Sequence, residues 1–230
     1  MTLNKKDFIS VDFTGRVKDG EIFDSTIKED LEELHQGHSH PIKAEPFVFC
    51  LGEGMFLKSI DDFLIGKEIG KYEIELNPEK AFGKRNPAFV QMIPMRIFRE
   101  QRINPVPGIT FNFDGRIGKV LAVSGGRVMV DFNNLLAGKT VIYHINVKGK
   151  VTDINEKIKA VNDFLFKQEL DFSVEGRKLT IKTEKNMKKF VEMFSDKFKE
   201  LLDLDIEVME TEKTKEENRP SDADLKEETK

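Results

Sequence analysis

The dipeptide Asp19-Gly20 constrains this chain more than any other feature, because it is a strong short-range signal for a tight hairpin turn. Upstream, Phe8-Ile9-Ser10-Val11-Asp12-Phe13 puts Ile9, Val11 and Phe13 on one face at a period of two. Downstream comes Glu21-Ile22-Phe23-Asp24-Ser25-Thr26. The turn therefore folds Phe23 back toward Phe13 on an adjacent strand, with Asp24 beside them. An acid at the rim of an aromatic cluster reads as a pocket with one polar handle. The same residues also suit a hairpin whose aromatics are core and whose Asp24 merely starts a turn. On these residues alone both readings stand.

Hydrophobic patterning divides the 230 residues into segments. Residues 1–84 and 135–152 read as short strands around one short amphipathic helix, in which Leu57, Ile60 and Leu64 share a face. Tyr72, Ile74 and Leu76 alternate as a strand that Asn77-Pro78 stops, and Thr140–Val147 resumes the same style. Between them, residues 85–134 change character. Pro87, Pro94, Pro105 and Pro107 interrupt apolar residues, and Lys119–Phe132 predicts a hairpin about Gly125-Gly126. An inserted subdomain is the simplest account. Residues 153–209 read as a small α+β domain of helix, two strands, helix and strand. Its second helix is expected to run as one amphipathic stripe through Met187, Phe190, Val191, Phe194, Phe198, Leu201 and Leu202. Residues 210–230 are charged and nearly devoid of apolar side chains, so disorder is expected there.

Several function classes are excluded. A net charge of −4 shows no global attraction to nucleic acid or to anionic lipid. No window approaches the roughly 18 apolar residues of a membrane span, and no apolar signal segment follows Met1, so a cytoplasmic location is expected. Cys50 is the single cysteine, set in Phe47-Val48-Phe49-Cys50-Leu51, and reads as a small buried hydrophobe. There is no nucleophile elbow and no phosphate-binding glycine loop. His35, His38 and His40 form the only metal-like cluster. A short loop with no carboxylate at clear spacing is a poor preformed site, so neither a metal nor another cofactor is expected. Phe89-Val90-Gln91-Met92-Ile93-Pro94-Met95-Arg96-Ile97-Phe98 is dense in soft apolar side chains. It suits a surface for varied partners through Phe89, Met92, Ile93, Met95 and Phe98, and equally a subdomain core.

Four ordered motifs resemble the FKBP-type peptidyl-prolyl isomerases: Val11-Asp12-Phe13-Thr14-Gly15, Asp19–Ser25, Pro46–Gly52 and Asn77–Gly83. The segment between Phe82-Gly83 and Leu136–Lys139 is similar to the insert-in-flap subdomain of SlyD-like members, and the final domain to that of long archaeal ones. The resemblance implies an α+β fold: an antiparallel sheet wrapped on a short helix, an inserted β-rich flap subdomain and a small C-terminal α+β domain. It implies cis/trans isomerisation of X-Pro bonds in peptides and proteins. Phe13, Phe23, Phe82 and Tyr143 would form the catalytic wall with Asp24, and Phe47, Phe56, Leu57 and Ile60 would bind substrate, Leu57 through its backbone N–H. The family often carries Trp where this chain has Ile60, and Tyr where it has Phe13 and Phe82. The resemblance further implies that the insert captures unfolded or partly folded chains. It carries no metal role here, since residues 210–230 hold no His or Cys.

The expected partners are therefore proline-containing peptides and unfolded proteins, not nucleic acid or membrane. The apolar stripe at 187–202 exceeds what a two-stranded hairpin covers, which favours a homodimer through the C-terminal domain. Two other readings compete: a holdase with little turnover, and a metal-responsive binder centred on the histidine loop.

Overall fold

The Asp19-Gly20 turn closes as the alternation requires. Asp19 takes a positive φ of 57°, and the Val17 N–H donates to Glu21 O at 3.0 Å. In the computed structural model, which describes residues 1–34, 44–113 and 115–211, this turn joins the first two strands of an antiparallel sheet. His35, His38 and His40 lie outside the described residues, as does the charged segment from residue 212.

The elements follow one another as β1 (Phe8–Val17), β2 (Ile22–Ser25), α1 (Lys28–Leu34), β3 (Phe47–Cys50), α2 (Lys58–Leu64) and β4 (Lys71–Leu76). Next come β5 (Val90–Pro94), α3 (Met95–Glu100), β6 (Thr110–Phe113), β7 (Arg116–Ser124) and β8 (Arg127–Asp131). The chain continues through β9 (Val141–Lys150), α4 (Ile154–Phe166), β10 (Phe172–Glu175), β11 (Lys178–Thr183), α5 (Lys185–Glu192), α6 (Ser195–Leu202) and β12 (Asp205–Glu210). Two units result, Met1–Asp153 and the chain from Ile154 onward. The architecture is mixed α+β.

In the first unit the main sheet has the order β2-β1-β9-β4, with β3 pairing the start of β1. Ile9, Val11 and Phe13 are buried on β1, as are Tyr143, Ile145 and Val147 on β9. Helix α2 contributes Ile60 and Leu64, both fully buried. Ile74 and Leu76 of β4 are buried, whereas Tyr72 is half-buried, packs on Phe63 and donates its hydroxyl to Glu68 O at 2.6 Å. Between β4 and β9 the chain makes a separate sheet of order β5-β8-β7-β6. Its core is Phe98 of α3 with Val120, Val128 and Val130. The two connections to that sheet are tied together. Arg85 pairs with Asp131 at 2.6 Å, and Asn133 exchanges hydrogen bonds with the backbone of Asn86 at 2.8 and 3.0 Å.

In the second unit β10 and β11 form the hairpin around Gly176, and β12 runs parallel to β11. A parallel pair needs a crossover, which α5 and α6 supply. The expected single helix over 187–202 is broken at Met193-Phe194, where the Ser195 hydroxyl donates to Glu192 O at 2.5 Å. The break lets Phe190, Phe194 and Phe198 all pack around Phe166 of α4, at centroid distances of 5.9, 5.6 and 6.3 Å. Glu210, expected to open the tail, is instead the last residue of β12 and stands opposite Thr183.

Candidate active site

Gly15 is the centre of the ring-bearing face. It stands opposite Asp24 on β2 and Tyr143 on β9, so one row crosses three strands with no side chain in its middle. The Phe23 and Tyr143 rings take up that space. A Cβ at Gly15 would lie 2.8 Å from Phe23 Cζ and 3.0 Å from Tyr143 Cε1. Phe13, two residues back on the same face, meets Phe56 at 5.0 Å and both Phe47 and Tyr143 at 6.1 Å between centroids. Phe23 meets Phe82 at 5.6 Å with rings perpendicular, and Tyr143 at 5.7 Å. Phe56 closes the set against Phe47 at 5.3 Å and Tyr143 at 5.6 Å. The edge-to-face pairs among these contribute about 0.5–1.5 kcal/mol each beyond burial, while Phe13 lies tilted against Phe56 and Tyr143. Phe13 and Tyr143 are buried, whereas Phe23, Phe47, Phe56 and Phe82 are half-buried. The arrangement is a wall of rings with an open side.

Local sequence explains how separate segments deliver these rings. Phe82 rides on a capped turn: Asn77 Oδ1 accepts the Lys80 N–H at 3.1 Å, and Gly83, at φ 82°, donates to Pro78 O at 2.7 Å. The Ser59 hydroxyl donates to Lys80 O at 2.7 Å and ties this turn to α2. Leu57 precedes α2 in extended geometry, and its carbonyl accepts from Ile60 and Asp61 at 2.8 and 3.1 Å. Its own N–H has no acceptor among the described residues. Behind the rings, on the other face of β1 and β2, Thr14, Ser25 and Asp30 form a polar network. The Thr14 hydroxyl donates to the Asp30 carboxylate, and Ser25 Oγ lies 2.9 Å from Asp30 Oδ2.

Asp24 is the acid at the rim. Part of its surface is open to water, yet burial pushes its carboxyl above the ordinary range, opposed by the backbone N–H of Ser25. Burial, and then the Asp24 charge, push the Tyr143 phenol up as well, so the two groups feel each other across Gly15. A depression of about 450 Å³ lies on the opposite face of the sheet, lined by Asp12, Tyr72, Glu73 and His144. Its two carboxylates already have partners: Asp12 pairs with Lys148 at 2.5 Å, and Glu73 lies 3.4 Å from His144 Nδ1. The ring wall is the better candidate for an apolar ligand with one polar contact.

Ile60 is fully buried at the start of α2. The residues expected to form a partner-binding surface divide. Phe89 and Met92 are exposed, Met92 by 61%, while Ile93 and Met95 are half-buried against the core of the β5–β8 sheet. Phe98 is not a surface residue at all. It is fully buried, because α3 turns it into that core against Phe111 at 5.3 Å. Sequence reasoning missed Ile117, Leu121 and Met129, which are exposed. Met129 stands opposite Met92 across β8 and β5. The signal for Met129 was its place between Val128 and Val130, since inward neighbours on a strand put it outward. Among the described residues there is no group of three or more His, Cys, Asp or Glu able to hold a metal, and no helix is long and apolar enough to cross a membrane.

A short-type peptidyl-prolyl cis-trans isomerase of Methanocaldococcus jannaschii is 30% identical over 147 residues, covering 64% of this chain and 92% of that protein. The chain belongs to the FKBP-type peptidyl-prolyl cis-trans isomerase family. The family model of that description matches residues 1–98, and a second, described as "FKBP26, IF domain", matches residues 91–136. A probable FKBP-type 16 kDa isomerase of Pseudomonas fluorescens is 29% identical over 60% of this chain and 85% of its own length. A SlyD isomerase of Pasteurella multocida is 29% identical over 64% and 68%, respectively. Within this FKBP, the span matched by the isomerase model, residues 1–98, contains Phe13, Phe23, Phe47, Phe56 and Phe82 of the ring wall, and Tyr143 lies beyond both matched spans.

Proposed function

We propose that the ring wall isomerises X-Pro bonds and that the β5–β8 sheet serves as an insert-in-flap module that holds unfolded client chain. The observation that carries the first part is the convergence of six rings from separate segments on one face, with the Asp24 carboxylate beside them. Rotation about the prolyl amide meets a barrier of about 18–20 kcal/mol, because resonance must be lost. The planar amide separates charge and the twisted one separates less. An environment of rings therefore favours the twisted state over the planar one, and each ~1.4 kcal/mol of that difference is tenfold in rate. The proline ring would sit against Phe13, Phe56 and Tyr143, over Ile60. The open Leu57 N–H would hold a substrate carbonyl, and Asp24 would face the rotating amide. No nucleophile takes part.

The second part is supported by the two faces of the β5–β8 sheet. One face is closed by Phe98, while Met92, Leu121 and Met129 stay open on the other strand parity. Flexible, polarisable methionine suits varied sequences. In the second unit Phe190 and Met193 remain exposed although Phe166 packs on Phe190 and Phe194. This supports a homodimer there, which sedimentation of the full chain would test.

A protease-free assay on a proline tetrapeptide decides the enzymatic reading. Phe82→Ala and Asp24→Ala should each cut kcat/KM. Wild-type turnover at the uncatalysed rate would leave a holdase. Paired Met92→Ser and Met129→Ser changes should spare the tetrapeptide and slow refolding of a proline-limited protein. Undiminished refolding would show that this face is not the client surface.

A further inference from the structure

Asp61 breaks a rule of protein interiors. It lies in the first turn of α2, next to Ile60, and is 1% exposed. Its Oδ2 accepts the Gly54 N–H at 3.1 Å, and the Gly52 amide also stabilises the ionised carboxylate. Its Oδ1 is buried with no hydrogen-bond partner among the described residues. Burial pushes this carboxyl above its ordinary range, and the charges of Glu53 and Asp62 add to the effect. A leucine here would avoid that cost, so an acid needs a reason beyond stability.

The reason lies in what Gly54 carries. Gly54 takes a left-handed φ of 70° with open space where a side chain would be, so little packing holds it. The loop it belongs to ends in Phe56 and Leu57, the ring that touches Phe13, Phe47 and Tyr143 and the N–H that has no acceptor among the described residues. Ser59 and Ile60 follow on α2, so helix, loop and ring wall meet within ten residues of sequence. We propose that Asp61 is a positioning residue, pinning the 52–56 loop to α2 so that Phe56 and the Leu57 N–H are preset to receive the substrate peptide. This rests on the reading of the ring wall as the proline site.

The test compares wild type with Asp61→Asn, which keeps one oxygen for the Gly54 N–H, and Asp61→Leu, which keeps bulk and removes the acceptor. Tetrapeptide kcat and KM are measured beside the unfolding midpoint, with peptide titration as a binding readout independent of turnover. The expected result is a KM rise of about fivefold or more in Asp61→Leu, the loss of one preset hydrogen bond. A smaller rise is expected in Asp61→Asn, with kcat nearly constant and the unfolding midpoint unchanged or higher. Unchanged KM in both variants overturns the proposal, as does a KM rise matched by a falling midpoint. A wild type that neither turns over nor binds the peptide overturns the proline-site reading itself, and with it this role.

Discussion

Gly15→Ala adds one methyl group, removes nothing, and aims at the centre of the ring wall. The new carbon would meet Phe23 Cζ at 2.8 Å, Phe23 Cε2 at 2.9 Å and Tyr143 Cε1 at 3.0 Å. Carbon atoms rest at about 3.5–4.0 Å, so both ring edges must retreat by about 0.7 Å or the strands must part. Overpacking of this kind costs about 1–3 kcal/mol, and stiffening of the unfolded chain returns about 0.4–1 kcal/mol. At about 2–4 °C per kcal/mol the expected loss in Tm is a few degrees, and the fold survives. Activity should suffer more. A displacement approaching 1 Å of groups around a reacting bond costs up to about a hundredfold, so kcat/KM on a proline tetrapeptide should fall ten- to a hundredfold. Gly149→Ala is the control, because that glycine sits on the same sheet and, its chain neighbours apart, no atom of the described residues lies within 4 Å of the added carbon. It should leave activity intact. A Gly15→Ala enzyme with lowered Tm and full turnover would show that Phe23 and Tyr143 do not border the reacting amide.

Three further outcomes follow from the same structure. Asp24 has a folded-state carboxyl raised by burial, so its ionisation opposes folding, and that penalty is present above the raised value and relieved as pH falls. Asp24→Asn should therefore be more stable than wild type at neutral pH, with the gain vanishing below about pH 4, where the unfolded carboxyl also protonates; denaturant midpoints across pH check this. Asn133→Ala removes the exchange with Asn86 that ties the two connections of the β5–β8 sheet. Tetrapeptide turnover should be unchanged while turnover of an unfolded protein substrate falls. Phe198→Ala empties a fully buried site stacked on Phe166 and should destabilise the second unit by about 3–5 kcal/mol, read by its hydrogen exchange, with proline turnover unaffected.

Motifs that act through a local turn are legible in the sequence alone. Asp19-Gly20 and Asn77-Pro78 announce the bends that present Phe23 and Phe82, and the period of two on β1 places Phe13 inward. Residues whose role depends on a distant neighbour are not. Phe98 looked like part of a sticky run because nothing local says that α3 folds back over Val120, Val128 and Val130. Met187 to Leu202 reads as one helix because the stripe is regular; the partner that Phe190, Phe194 and Phe198 meet across the break, Phe166, lies some twenty residues earlier. Gly15 read as a motif letter. Its function as the empty place between Asp24 and Tyr143 exists only once three strands are in register.

That register has a cause other than the Asp19-Gly20 turn. Strand pairing with a period of two means that a slip of one residue would carry Asp24 to the back face and Ser25 to the rings. The pairing is held downstream of Asp24. The Phe13 N–H donates to Thr26 Oγ1 at 2.9 Å, the Thr26 N–H donates to Phe13 O at 3.0 Å, and Ser25 Oγ lies 2.9 Å from Phe13 O. The Ile27 N–H donates to Ser25 Oγ at 3.0 Å, and Asp30 takes up Ser25 and Thr14 from α1. Set against this, the turn offers the bond from Val17 to Glu21 and that from Gly20 to Val17 O. One extra glycine after Gly20 should therefore bulge out of the hairpin at a cost well below 1 kcal/mol, leaving tetrapeptide turnover nearly intact. Ser25→Ala should do the opposite. It strips a partner from Asp30 and from the Ile27 N–H, costs about 1–3 kcal/mol, and frees β2 to shift. Loss of activity on the glycine insertion, with Ser25→Ala fully active, would return the register to the Asp19-Gly20 turn and refute the assignment of Asp24's place to the polar network behind it.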